Sequence, residues 1–277
     1  MLAGLLWFYN KIILKERNMR TYAIGDIHGQ LDMLHDAHDR IAQDKKRVQD
    51  TDAPIVHLGD LVDRGPACKA VVQYLLDGID AGENWVVLMG NHDRMFLWYL
   101  EEVSKNDPHL FIGLDWLNAR IGGTETLASY GVDVDAKRRY GEVHAEARSS
   151  VPQSHIDFLS QRPTSFTRGD VHFVHAGIRP TVPLNAQDED DLVWIREGFL
   201  DSDVDHGALI VHGHTALTHA TRYPNRVNLD SSAAYGNYLT AAVFEGRNVW
   251  QLSSTEREEI TRHEVPTTLP EAHFFKR

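Results

Sequence analysis

Ile55-Val-His-Leu-Gly-Asp-Leu-Val-Asp-Arg-Gly65 sets a short apolar run directly before a glycine and a carboxylate. The run is rich in β-branched side chains and stops at Gly59, and Asp60 follows at once. An apolar run that is bounded by a glycine in this way is typical of a buried strand. The stretch therefore predicts a strand that delivers the Asp60 carboxylate to its carboxyl end.

The same order, an apolar run followed by residues of types that bind metals, recurs at residues 22–29, 86–93, 171–177 and 209–214. One such ending is weak evidence, because acidic residues after a strand are often helix caps or turn formers. Five endings in one chain favour a shared role, since open α/β sheets bind ligands beyond the carboxyl ends of their strands. We therefore expect the five strand ends to meet in one crevice.

The side chains at these strand ends are carboxylates, an amide and imidazoles, and this mixture indicates a metal centre. Oxygen and nitrogen donors together suit Mn²⁺, Fe or Zn²⁺, whereas structural zinc sites commonly use thiolates. The single cysteine, Cys68, is interpreted as a small residue at a helix start, since such a centre needs no thiol nucleophile.

With these motifs the sequence resembles the calcineurin-like metallophosphoesterases of the phosphoprotein phosphatase type. The matching motifs are Gly25-Asp26-Ile27-His28-Gly29, Gly59-Asp60-Leu61-Val62-Asp63-Arg64-Gly65, Gly90-Asn91-His92-Asp93, His175-Ala176-Gly177 and Gly213-His214-Thr215. The resemblance is strongest to bacterial and phage members, which include protein phosphatases and symmetrical diadenosine tetraphosphatases. It implies an α/β fold of two mixed β-sheets sandwiched between helices.

The resemblance also implies two divalent metal ions, with Mn²⁺ favoured and Fe or Zn²⁺ as alternatives. The first metal would be held by Asp26, His28 and Asp60, and the second by Asp60, Asn91, His175 and His214. Two cations that share a carboxylate and a water make hydroxide available for in-line attack on phosphorus. Asp60 would be the shared carboxylate.

A general acid and phosphate-binding groups are implied in the same way. His92 would protonate the leaving group, and Asp63 would fix its tautomer and raise its pKa. Arg64 and Arg196 would bind the substrate phosphate together with Asn91, because planar guanidinium groups match phosphate oxygens. His92 as a mere support of the site, and Arg196 as one residue of a weakly specific Trp-x-Arg motif, are the alternatives.

Two features favour the phosphatase branch of the family, and one is shared with the tetraphosphatases. Ala216 stands where the broader family often has a second histidine, and the pair Asp63-Arg64 is typical of the phosphatase branch. The motif at residues 175–178 is common to both. The prediction is a protein serine/threonine phosphatase. The alternatives are a symmetrical bis(5'-nucleosyl)-tetraphosphatase, a hydrolase of nucleoside polyphosphates or RNA caps, and a non-catalytic phosphoprotein-binding scaffold.

The composition restricts the partners and the compartment. The net charge of −12 argues against a scaffold for duplex nucleic acid, because binding that backbone draws mainly on Lys and Arg. We expect phosphoproteins or dinucleoside polyphosphates as partners. One cysteine excludes an internal disulfide and fits the cytoplasm.

Three segments are predicted along the chain. Residues 1–18 form an N-terminal extension whose apolar stretch is too short to span a bilayer. Residues 19–265 form the metallophosphoesterase domain, and residues 266–277 form a C-terminal tail. Within the domain, about residues 94–160 are interpreted as a helical cap insertion because helical patterns replace the strand pattern there.

The predicted cap contains five aromatic residues: Phe96, Trp98, Tyr99, Phe111 and Trp116. At helical spacing such residues belong more often to the core than to a nucleobase platform. Trp98 or Trp116 facing the metals would favour a dinucleotide substrate.

Apolar periodicity predicts the remaining elements. Helices are expected over residues 31–46, 95–103, 110–119 and 154–161, and another after Cys68 that ends at Asp77-Gly78. Short β runs at residues 170–175, 209–212, 226–229, 239–244 and 248–252 predict a second sheet that packs on the first.

Overall fold

The computed structural model describes residues 19–260, so the predicted extension over residues 1–18 and tail over residues 266–277 lie outside the described range. Within that range the strands are β1 (Arg20–Ile24), β2 (Ile55–His57), β3 (Trp85–Val87), β4 (Ser165–Arg168), β5 (Val171–Val174), β6 (Leu209–His212), β7 (Thr221–Arg222), β8 (Arg226–Asn228), β9 (Ala241–Glu245), β10 (Asn248–Leu252) and β11 (Arg257–Glu259). The α-helices are α1 (Leu31–Val48), α2 (Cys68–Asp80), α3 (Asn91–Tyr99), α4 (Gly123–Ser129), α5 (Tyr140–Ser150), α6 (Gln153–Ser160) and α7 (Glu189–Trp194).

The strands form two mixed sheets, which confirms the expected α/β fold. The six-stranded sheet has the order β11-β10-β9-β1-β2-β3, and the five-stranded sheet has the order β4-β5-β6-β8-β7. β1, β2 and β3 are parallel to one another, as are β5, β6 and β8. Parallel strands end at the same edge of a sheet, so each sheet presents several carboxyl ends together.

An apolar core joins the two sheets. Phe173 of β5 meets Phe244 of β9 edge to face, with 5.5 Å between the ring centroids. Ala23, Val56 and Val211 are fully buried in the same cluster. The expected packing of one sheet on the other is therefore present, and it holds the two sets of strand ends against each other.

The predicted membership of the second sheet is wrong for two strands. Residues 239–244 and 248–252 supply β9 and β10, which belong to the first sheet because β9 pairs antiparallel with β1. The local pattern identifies these residues as strands, but β9 pairs with a strand more than two hundred positions away, and β10 joins the same sheet by pairing with β9.

The cap region differs from its predicted helices in two places. Residues 110–119 form turns instead of a helix, although Leu110 and Trp116 are buried. The helix expected from residue 95 begins earlier, at Asn91, because the Asp93 carboxylate caps its first turn by accepting a hydrogen bond from the Gly90 amide at 2.9 Å. Asn91 and the adjacent histidine therefore lie on a helix end and not in a loop.

Helix α2 continues through the predicted stop at Asp77-Gly78 and ends at Asp80. Gly78 lies against the ring of Trp85, so that a Cβ at this position would overlap the indole. The glycine serves close packing here and does not end the helix. Cys68, at the start of α2, is fully buried, and burial raises the pKa of its thiol to about 12.

We expect Gly78→Ala to lower the free energy of unfolding by about 1–3 kcal/mol, because the added methyl overfills a packed contact. Gly141→Ala is the matched control, since Gly141 is also helical but has no atom within 4 Å of an added Cβ. That control should gain about 0.4–1 kcal/mol from reduced freedom of the unfolded chain. Urea unfolding measures both, and a shift of the same sign for the two variants would contradict the packing argument.

Candidate metal centre

Asp60 lies at the centre of the converging strand ends and is 2% exposed. Its Oδ2 is 3.4 Å from His28 Nε2, and its Oδ1 is 3.3 Å from His175 Nε2. The backbone amide of His92 donates to the same Oδ1 at 3.0 Å. One carboxylate therefore contacts groups from both sheets, as the sequence predicts.

Asn91 joins the two histidines that come from the second sheet. Its Oδ1 is 2.9 Å from His175 Nε2 and 2.9 Å from His214 Nδ1. A Cβ at the preceding Gly90 would overlap the Asp60 carboxylate, so only glycine lets this helix end approach so closely. The amide oxygen is thus placed among nitrogen donors in a site that water scarcely reaches.

Backbone carbonyls orient two of the imidazoles. His28 Nδ1 donates to the Val62 carbonyl at 2.8 Å, and His175 Nδ1 donates to the Leu58 carbonyl at 2.8 Å. With the proton on Nδ1, each Nε2 presents its lone pair to Asp60. This arrangement is the usual way in which a protein fixes metal-binding histidines.

Asp26 has one carboxylate oxygen without a hydrogen bond. Its Oδ2 accepts from the His214 amide at 2.8 Å, whereas Oδ1 is buried and has no hydrogen-bond partner among the described residues. An orphaned, buried carboxylate oxygen is costly unless a cation binds it. The residues present therefore fit a metal.

Two groups of mutually close donor atoms share Asp60. One contains His28, Asp60 and His92, and the other contains Asp60, His175 and His214, with the donor atoms of each group within 4.8 Å of one another. A pair of cations with a common carboxylate requires this geometry. Asp26 stands beside the first group and His92 within it, a placement that the sequence did not predict.

Burial changes the proton affinities of the donors. It raises the pKa of Asp26 and Asp60, lowers the pKa of His175 to about 4, and lowers the pKa of His28 and His214 well below its usual value. Carboxylates resist ionisation and imidazoles resist protonation here. A bound cation would lower the pKa of the carboxylates again, and it would bind the imidazoles in the neutral form that burial already favours.

The backbone is strained at the site. Five residues without the freedom of glycine have left-handed φ angles between 47° and 72°: His28, Asp60, Asp63, Arg64 and His214. Such conformations persist where the surroundings hold them, and they concentrate at functional sites.

Asp63 and His92 form a fully buried pair. His92 Nδ1 lies 2.6 Å from Asp63 Oδ2, which also accepts from Trp116 Nε1 at 2.8 Å. Asp63 Oδ1 accepts from Thr126 Oγ1 at 2.7 Å. Three donors hold the Asp63 carboxylate in place, so it accepts a hydrogen bond from His92 Nδ1 and fixes that tautomer. His92 Nε2 is then the ring nitrogen that faces the cavity.

The expected rise in the pKa of His92 is wrong. Burial lowers this pKa well below its usual value, and the neighbouring Arg64 and His28 lower it further. Arg64 Nη2 lies 3.0 Å from His92 Nε2, and Nη1 lies 2.7 Å from His28 Nε2. Protonation of His92 therefore needs a nearby anion that offsets the guanidinium.

Arg196 faces the same narrow cavity as Arg64. Its Nη2 donates to the His214 carbonyl at 2.9 Å, and burial lowers its pKa to about 10. Both predicted phosphate-binding arginines thus converge on one opening, next to the donor atoms of the metal groups.

The aromatic residues of the cap do not line that opening. Phe96, Tyr99 and Trp116 are buried in the core, as expected, and Trp98 packs on the Arg94 guanidinium at 4.7 Å. Phe111 is 39% exposed. None of these five residues lines the cavity between the strand ends.

Sequence reasoning missed two residues that line the cavity, Asp230 and Tyr235. Asp230 follows β8 without the glycine that marks the other strand ends, although a carboxylate two residues after a β run was a usable signal. Tyr235 ends a 3₁₀ turn, and its ring centroid lies 5.4 Å from the Arg64 guanidinium.

Comparisons with known proteins agree with this geometry. The profile of the family described as calcineurin-like phosphoesterase matches residues 19–244. The asymmetrical bis(5'-nucleosyl)-tetraphosphatase PrpE of Oceanobacillus iheyensis is 20% identical over 258 residues, covering 86% of this chain and 94% of that protein. A symmetrical bis(5'-nucleosyl)-tetraphosphatase of Klebsiella pneumoniae subsp. pneumoniae is 36% identical over 90 residues, 32% of this chain and 29% of its own length.

A solved structure shares the fold. The cold-active protein-tyrosine phosphatase of a psychrophilic Shewanella species superposes with a TM-score of 0.56 over 88% of this chain and 81% of that chain, at 18% sequence identity. No helix in residues 19–260 is long and apolar enough to cross a membrane.

Proposed function

The chain belongs to the calcineurin-like phosphoesterase family of metal-dependent hydrolases, and from this premise we propose that it removes phosphate from phosphoserine and phosphothreonine in proteins. Two divalent cations, with Mn²⁺ proposed and Fe or Zn²⁺ as alternatives, would supply the hydroxide nucleophile and neutralise the phosphate when bound. Asp26, His28 and Asp60 would hold one of them. Asp60, Asn91, His175 and His214 would hold the other.

The two arginines would position the substrate. Arg64 and Arg196 line the same opening, and guanidinium groups bind phosphate oxygens through paired hydrogen bonds. The Asn91 side chain, which contacts His214, has a buried Nδ2 without a hydrogen-bond partner among the described residues. A phosphate group would satisfy these donors together.

His92 would donate the proton that the leaving oxygen requires. A dianionic phosphate would draw the Arg64 guanidinium from His92 Nε2 and offset its charge, which raises the pKa of the imidazole in the bound complex. Asp63, 2.6 Å away on the Nδ1 side, keeps Nε2 directed at the substrate. His92 would thus become protonated when the substrate phosphate binds, and it would then be ready to protonate the leaving oxygen.

The choice of substrate rests on one observation: the Asp63–His92 pair, here called the acid dyad, lies at a narrow opening. When water attacks the phosphorus of phosphoserine or phosphothreonine, the side-chain oxygen leaves as an alkoxide, which needs a proton from an acid. Tyr235 is the one tyrosine, tryptophan or phenylalanine among the described residues that line the opening. The indole of Trp116 is not available to stack on a base, because it is buried and donates a hydrogen bond to Asp63. This favours a small phosphomonoester end over two nucleobases.

Hydrolysis of dinucleoside polyphosphates is the second candidate. It is favoured by the relative from Oceanobacillus iheyensis, which is named for that activity and is covered over 94% of its length. Tyr235 would then stack on a base, while Arg64 and Arg196 would bind consecutive phosphates. A hydrolase of nucleoside polyphosphates or RNA caps would use the same groups.

Initial rates on a defined panel test the proposal. Metal-stripped protein supplied with Mn²⁺ is assayed on phosphoserine, phosphothreonine and phosphotyrosine peptides and on diadenosine tetraphosphate, and kcat/KM is compared. We expect the phosphoserine and phosphothreonine peptides to be turned over faster. Faster turnover of the dinucleotide would replace the proposal by the second candidate, and the products, ADP alone or ATP with AMP, would distinguish symmetrical from asymmetrical cleavage.

The remaining expectations about the chain stay proposals. We place the domain at residues 19–265, with about residues 94–160 as its cap. We propose the cytoplasm as its compartment because the single cysteine, Cys68, is a free thiol, as is usual in a reducing compartment.

A further inference from the structure

Asp230 emerges beside a proposed metal ligand. β6 and β8 are parallel, and His212 lies opposite Asn228 in their register. Two residues further along each strand, the chain reaches His214 on one side and Asp230 on the other. The strand that sequence reasoning assigned no functional group therefore delivers a carboxylate to the same edge.

Neighbouring groups hold both the backbone and the side chain of Asp230. The Asn228 side chain accepts from the Asp230 amide at 2.8 Å, and the Leu217 amide donates to the Asp230 carbonyl at 3.1 Å. Asp230 Oδ1 accepts from the Ser232 amide at 3.0 Å, and the residue is 6% exposed. A carboxylate held in this way has little freedom to turn away from the cavity.

Asp230 also lies near the end of β1, which carries Asp26, a proposed ligand of the first metal. The segment that carries it packs against the end of β1, since a Cβ at Gly25 would overlap the Leu229 carbonyl. Asp230 lines the cavity together with Asp26 and Asp60, and Ala216 contributes only a methyl group to the same wall.

The charges of the cavity do not balance without bound cations. Asp26, Asp60 and Asp230 supply three carboxylates, and Arg64 and Arg196 supply two guanidinium groups. Buried carboxylates are costly unless they are paired or bind metals. With the arginines as the only counter-ions, the three carboxylates would exceed the two guanidinium groups by one negative charge.

We propose that Asp230 is a positioning residue for the first cation, and that it accepts a hydrogen bond from a water molecule bound between that cation and the cavity wall. This inference rests on the proposed function, because it presumes the metal centre. Asp230 would not contact the cation itself. It would fix the water and add a negative charge that strengthens cation binding.

Calorimetric titration of Mn²⁺ into the metal-stripped full chain tests the assignment without any substrate. For Asp230→Asn we expect the Kd of one of the two Mn²⁺ ions to rise about 10–100-fold, the usual effect of removing a group that supports a ligand. Asp203→Asn is the matched control, since it removes an equal charge from an exposed position and should leave both Kd values unchanged.

Three outcomes are informative. Equal Kd values for Asp230→Asn and the wild type would overturn the assignment, and a raised KM for phosphate substrates alone would assign Asp230 to the arginines instead. Absence of Mn²⁺ binding by the wild type would overturn the metal centre itself, and this assignment with it. Near-ultraviolet circular dichroism reports folding, and Asp230→Ser, expected to show the same rise in Kd, serves if the asparagine variant does not fold.

Discussion

Asp60→Asn abolishes phosphoester hydrolysis and leaves the fold intact: we expect kcat to fall on the order of 10³-fold or more. Asp60 belongs to both groups of donor atoms, so its loss weakens both cation positions at once. Asparagine has nearly the same shape and can still accept the hydrogen bond from the His92 amide. The measurement is kcat on p-nitrophenyl phosphate with saturating Mn²⁺.

The control for this variant is again Asp203→Asn, whose exposed carboxylate should be irrelevant to the rate. Thermal unfolding should place Asp60→Asn at or above the wild type when both are stripped of metal, because a buried charge has been removed. Turnover of Asp60→Asn within threefold of the wild type would contradict the role of Asp60 as the shared ligand.

His92→Asn should slow hydrolysis in a manner that depends on the leaving group. Removing a general acid costs about 10²–10⁴-fold where the leaving oxygen must be protonated, as with a phosphoserine peptide. p-Nitrophenolate leaves without protonation, so the loss on p-nitrophenyl phosphate should be much smaller. The comparison of kcat for the two substrates measures the proton transfer and cancels any loss in metal content.

Thr126→Val is a suitable companion variant because Thr126 donates to Asp63 Oδ1 and not to His92. It should reproduce the same dependence on the leaving group at a smaller magnitude. Equal losses on both substrates in His92→Asn, together with reduced Mn²⁺ content, would show that His92 supports the metal site, to which its place beside His28 and Asp60 also gives it access.

The strand ends were predictable because each one combines two local signals. A strand buried on both faces reads as a continuous apolar run, as in residues 209–212, and the break that follows exposes the functional side chain. The donor residues Asp60, His175 and His214, which the structure brings together, were therefore predictable from the sequence. Their mutual distances could not be known, since they depend on how the two sheets pack.

The errors arise where distant contacts override the local pattern. β9 and β10 have ordinary strand sequences, but their place in the first sheet is set by the pairing of β9 with β1 and of β10 with β9. The apolar residues at 110–119 are spaced as in a helix, yet they lie in turns, from which Trp116 stacks on Phe96 of α3 while Ile112 is exposed. Asp230 was missed because no glycine precedes it, and it is held instead by a hydrogen bond that its own amide donates to Asn228 Oδ1.

The members of the Asp63–His92 pair were predictable from the sequence, but the pKa of His92 was not. The neighbouring motifs identify Asp63 and His92, whose 2.6 Å contact is present. The direction of the His92 pKa is decided by burial and by the Arg64 guanidinium, whose left-handed backbone turns it towards both histidines. Whether the Asp63 carboxylate or the Arg64 guanidinium has the larger effect on the pKa of His92 depends on the three-dimensional arrangement and cannot be predicted from the sequence.

Bound metal and activity measured on the same samples test the central claim most directly. Metal-stripped protein is dialysed against graded Mn²⁺ concentrations, bound Mn²⁺ is counted by mass spectrometry, and hydrolysis of p-nitrophenyl phosphate is measured in each sample. We predict two Mn²⁺ ions per chain at saturation, with the rate rising as the second position fills. Undiminished hydrolysis by protein that contains no divalent metal, or full activity with a single ion per chain, would contradict the account.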